Sequence, residues 1–68
     1  MKEKINEFII FCIEVYKEKE DKTGKEIYNL FKEHDVFAFL EEHYDVLHTQ
    51  GKAYIVETIT DFIENKEI

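Results

Sequence analysis

The sequence predicts an all-α fold, a compact bundle of about four helices forming one domain over residues 1–68. Three observations predict it. Apolar residues recur at offsets of three, four and seven through four stretches, as they do on a helix with one buried face. Proline is absent and glycine occurs only at 24 and 51, so little in the chain interrupts a helix. Thr23 followed by Glu26 forms a capping box, a specific signal for a helix start.

The first helix follows from Ile5, Phe8, Ile9, Cys12, Val15 and Tyr16, which share a face. Phe11 and Ile13 widen that stripe and Ile10 falls almost outside it, so the helix is apolar over more than half its circumference. Such a helix is central to a bundle or shared with a second molecule. The polar string "KEKEDK" after Tyr16 ends it near residue 20.

The capping box opens the second helix, with Ile27, Leu30, Phe31 and His34 as its buried stripe and Tyr28 at the margin. Asp35 suits the N-cap of a third helix. There Val36, Phe37, Leu40, Tyr44 and Leu47 face inward, while Glu41, Glu42 and Asp45 project outward and Phe39 lies toward the polar side. Gly51 either adopts a left-handed conformation that stops this helix or gives the next one a flexible start. A fourth helix over about 51–65 follows from Ile55, Ile59, Phe62 and Ile63, with Val56 alongside. The alternative is a winged-helix arrangement, in which "YDVLH" and "AYIV" pair as strands around "TQGK".

A chain of 68 residues has room for one modest core; at this length folding buries roughly 60% of the unfolded surface. Cys12 is the only cysteine, so neither a disulfide nor a cysteine-rich metal staple can add stability. Helix packing or association with another chain must supply it. The apolar run Phe8 to Ile13 is too short to span a bilayer, follows Glu7 and precedes no small-residue cleavage site, so a cytoplasmic protein without a membrane segment is expected. An unpartnered thiol fits a reducing compartment.

The net charge is −7, and all nine cations are lysines. Arginine is the commonest reader of guanine edges and the two-point grip on phosphate, so its absence weighs against nucleic acid. The second and third helices could imitate a helix-turn-helix. In that docking Phe39, Glu41, Glu42 and Asp45 would face the DNA, and the three carboxylates would meet phosphates of like charge.

Little catalytic chemistry is visible. Cys12 sits in "FIIFCIEV" on the core face, where a thiol stays protonated and inert. His43 and His48 are five apart, which on a helix separates them by about 140° and aims them away from one ion. Glu41, Glu42 and the other carboxylates form no paired arrangement of the kind acid–base catalysis needs. No residue is assigned a catalytic, metal or cofactor role, and an enzyme is not expected.

The motifs "TGKEIYNLF", "YDVLHTQG" and "YIVETITDFI" lie in a chain that resembles, over nearly its whole length, a family of short bacterial proteins known only as a domain of unknown function. The resemblance implies genes that lie near ADP-ribosyltransferase-like proteins, an arrangement similar to toxin–antitoxin pairs. It therefore implies a partner protein and supplies no catalytic residues; neighbourhood is association, not mechanism. The expected function is a small protein–protein interaction module, antitoxin-like or accessory to a neighbouring enzyme. Its expected contact residues are Phe39, Glu42, Tyr44, His48 and Tyr54. The alternatives are a self-associating domain with a homodimer seam through Ile10 and Phe11, and a helix-turn-helix-like DNA-binding component.

Overall fold

In the computed structural model, which describes residues 2–65, the apolar spacing resolves into five helices: α1 (Lys2–Glu20), α2 (Gly24–Glu33), α3 (Val36–Glu42), α4 (Tyr44–Leu47) and α5 (Lys52–Asn65). Four are substantial and α4 is a single turn. The described residues include no strand. The hairpin alternative is thereby corrected: "YDVLH" forms α4 and its flanking turns, and "AYIV" forms the first turn of α5. A strand would send Ile55 and Val56 to opposite faces. Helical spacing lets Ile55, Val56 and Ile59 all reach the core, where each is buried.

That core takes Phe8, Cys12 and Tyr16 from α1, Ile27 and Phe31 from α2, Val36 and Leu40 from α3, Leu47 from α4, and the three aliphatics of α5. Helix α1 meets α2, α3 and α5, as expected of the helix with the widest apolar face. The radius of gyration, 11.1 Å, matches the roughly 11 Å expected of a compact chain this long. Rings supply much of the packing: Tyr16, Phe31, Phe37 and Tyr28 run in series at centroid spacings of 5.4, 5.9 and 5.1 Å.

The Thr23–Glu26 capping box is formed in both directions. Glu26 N–H donates to the Thr23 hydroxyl at 3.2 Å, and Thr23 N–H donates to the Glu26 carboxylate at 2.9 Å. The backbone bond from Thr23 holds the Glu26 carboxyl below its usual pKa.

One expectation about the third helix is met only in part, and one needs correcting. Asp35 does stand at the N-cap of α3, its carbonyl accepting from Phe39 N–H at 3.3 Å, but its φ of 59° is left-handed and its side chain makes no capping bond. It is also the residue that terminates α2, and its N–H donates back to the Lys32 carbonyl at 3.4 Å, one of the two bonds of a Schellman stop. The expected continuous helix through Leu47 is broken. His43 adopts φ −105°, ψ 17°, which separates α3 from α4, and the chain restarts with Leu47 N–H donating to the His43 carbonyl at 2.9 Å. The break lets Tyr44 meet the Phe8 ring edge-on at 5.5 Å while Leu47 enters the core. Gly51 has no positive φ, so of its two expected roles only the helix start remains; its carbonyl accepts from Ile55 N–H at 3.1 Å. Among the described residues, no helix is long and apolar enough to cross a membrane.

Candidate partner-binding surface

The five expected contact residues do not form one exposed patch. Phe39 is half-buried, stacked on Phe62 at 4.2 Å and 20°, with the His43 ring 4.7 Å away. Tyr44 is half-buried between Phe8 and His48, whose ring lies parallel to it at 4.4 Å. His48 Nδ1 lies 2.6 Å from the Tyr44 carbonyl oxygen, so that nitrogen carries the proton and the ring caps the end of α4. Glu42, His48 and Tyr54 are exposed. Phe39 and Tyr44 therefore hold the third-helix region against α5 and α1, and only part of each ring is open to a partner.

A concave surface lies elsewhere. Between α1 and α5 runs an open, largely apolar trough of about 690 Å³. Val15 of α1 and Ala53 and Val56 of α5 give it an apolar floor, and Thr60 lies beside them. Its edges carry Glu18, Glu57 and Asp61, together with Lys19 and Lys52. The two helices are tied at this place by a bond between the Tyr16 hydroxyl and Thr60 Oγ1 at 2.9 Å. Lys19, on the trough's edge, has its own partners: its ammonium lies 3.3 Å from the Glu20 carboxylate and 5.9 Å above the Tyr16 ring.

Sequence reasoning missed this trough because it placed Val15 with the core stripe and treated the polar faces of α5 as solvated. The signal was present in the spacing Ala53, Val56, Thr60, a second stripe beside the core stripe of Ile55 and Ile59. Alanine at its head leaves room where a larger side chain would have filled the space. None of the expected contact residues lines the trough, and Tyr54 comes nearest to its lining in sequence. It follows Ala53 and lies one turn before Glu57 and two before Asp61, and it is 49% exposed.

Other chemistry is sparse in the described residues. Cys12 is fully buried, and burial pushes its thiol up to about 12, so it is held protonated. Among the described residues, no three His, Cys, Asp or Glu side chains gather where a metal ion could bind.

These features define a small all-α domain with a closed aromatic core and an open trough on one side. The chain belongs to DUF3791, a family described as a protein of unknown function, which matches residues 7–66. No curated protein and no solved structure matches it.

Proposed function

We propose that the domain is a docking module for another protein, acting as an antitoxin-like or accessory subunit of the ADP-ribosyltransferase-like neighbour that the family resemblance implies. One observation carries this: the α1–α5 trough is open and apolar, and the helices that form it also expose Phe11 and Tyr54. Small-molecule sites enclose most of their ligand, whereas an open groove with apolar walls suits a segment of folded chain. Exposed aromatic side chains are effective interface anchors. The lone protonated thiol and the bacterial setting of the family support action in the cytoplasm.

Exposure of Ile10 and Phe11 favours a second reading, a homodimer seam on α1. The two side chains leave the helix about 100° apart, with Glu7 and Glu14 between them. A seam using both would press carboxylates of the two copies together. DNA binding has less support, since Glu41, Glu42 and Asp45 are all exposed on the surface that would face phosphate.

Co-expression with the neighbouring gene product, followed by size-exclusion chromatography, tests the docking module. A stable complex is expected at micromolar concentration, with Tyr54→Ala weakening it about tenfold at unchanged helicity. Phe39→Ala and Tyr44→Ala are poorer probes, because each also removes a ring contact inside the domain. Two proteins that elute separately at micromolar concentration would remove the docking reading.

A further inference from the structure

We infer that the occupant of the α1–α5 trough is an amphipathic helix of the partner, with an apolar stripe flanked on both sides by lysine or arginine. This rests on the docking reading above and adds the partner's chemistry. Both walls follow one pattern. On α1, Phe11, Glu14 and Glu18 recur at offsets of three and seven, and on α5 Tyr54, Glu57 and Asp61 do the same. Each helix therefore carries an acidic rail, which meets the trough at Glu18 on α1 and at Glu57 and Asp61 on α5, and each rail has an exposed ring farther back along its own helix, Phe11 at 40% and Tyr54 at 49%. Between the rails lie Val15, Ala53 and Val56.

The carboxylates are available. Glu14 is paired with Lys17 at 3.3 Å, but among the described residues no cation lies within ion-pair distance of Glu18, Glu57 or Asp61. Lys19 is engaged with Glu20, and the other cation lining the trough among the described residues is Lys52, in the first turn of α5. An apolar strip between two negative rails is complementary to a helix with leucines or isoleucines at i, i+3, i+4 and i+7 and cations on either flank. A second copy of this chain does not meet that description. The corresponding faces of its own α1 and α5 bring carboxylates to carboxylates. The stretch of α5 from Lys52 to Asp61 rises about 14 Å, enough to seat two to three turns of a bound helix.

The test uses the full chain, labelled with ¹⁵N, and a synthetic helical peptide of about four turns with a leucine stripe flanked by lysines. Two control peptides carry glutamate in place of lysine, or the same lysines and leucines scrambled so that no stripe forms. Expected are micromolar binding of the first peptide, amide shifts clustered at Val15, Ala53, Val56 and Thr60, no binding of the glutamate peptide, and at least about tenfold weaker binding of the scrambled one. Ala53→Arg, an exposed position where a long side chain enters the trough, should abolish the shifts and leave the circular dichroism unchanged. Equal binding of the scrambled peptide, or shifts centred away from the trough, would overturn the inference. Co-expression separates the two claims: a complex that forms equally with wild type and Ala53→Arg overturns the trough and leaves the docking module standing. No complex with either removes the docking module and its occupant together.

Discussion

Removing one hydroxyl group tests whether the trough walls are fixed in place. In Tyr16→Phe the ring keeps its place in the core, 3% exposed and 5.4 Å from Phe31, and only the bond to Thr60 at 2.9 Å is lost. Thr60 is half-buried and lines the open trough, so its hydroxyl can exchange the lost partner for water. The cost therefore falls within the ordinary range for a hydrogen bond, about 1 kcal/mol. In a domain of this size that lowers Tm by roughly 4–8 °C. Thr60→Val does the reverse, stranding the buried Tyr16 hydroxyl, and should cost more, roughly 1–3 kcal/mol. The double variant closes a cycle in which the two losses overlap by about 1 kcal/mol. Urea and thermal unfolding followed by circular dichroism measure all four proteins. Additive losses, or a Tyr16→Phe variant as stable as wild type, would refute the claim that this bond ties α1 to α5.

Three further outcomes follow from buried and strained positions. Cys12 should be silent toward an aromatic disulfide reagent in the native protein and react only as the domain opens, which thiol-release kinetics against denaturant will read. Because burial raises the folded thiol to about 12, its contribution to stability is complete below the unfolded value near 9 and declines as pH rises from there toward 12; Cys12→Ala should flatten that alkaline limb in unfolding experiments. Asp21→Gly should stabilise the protein by a few tenths to about 1 kcal/mol, since Asp21 sits at φ 55° as the left-handed stop of α1, with Lys22 N–H donating to the Lys17 carbonyl at 3.2 Å. An unchanged or lower Tm would mean that the conformation is not strained.

Much of this fold was legible because the sequence is locally consistent. The capping box placed the start of α2, the polar run after Tyr16 placed the end of α1, and the spacing from Ile55 to Ile63 favoured a helix while the hairpin stayed open as the alternative. What escaped were decisions made by tertiary contact. Nothing local in "EEHYDV" breaks a helix; the break at His43 accompanies the meeting of Tyr44 with Phe8, residues 36 positions apart. Asp35 was legible as the N-cap position of α3 but not as the left-handed stop of α2, because aspartate serves as an N-cap and only less often as such a stop. The expected contact residues share the same weakness. Periodicity placed Phe39 on the polar side of its own helix, correctly, but could not show that α5 would bring Phe62 against it.

The acidic rails show where the sequence departs from local consistency. Glu14 with Glu18 and Glu57 with Asp61 are like-charged pairs at i, i+4, each costing an isolated helix about a few tenths of a kcal/mol. A domain of 68 residues with one small core has little stability to lose in this way. Solubility alone does not require that placement, because carboxylates spread among the lysines of the "KEKEDK" turn serve it without self-repulsion. The repulsion is relieved when cations from another molecule lie between the rails, and the relief adds to binding. Local cost that disappears on association is the pattern expected of a surface shaped for a partner and not for the isolated fold. The same account fixes the salt dependence: affinity for the lysine-flanked helix should fall as ionic strength rises, while the apolar floor keeps a residual, salt-insensitive part.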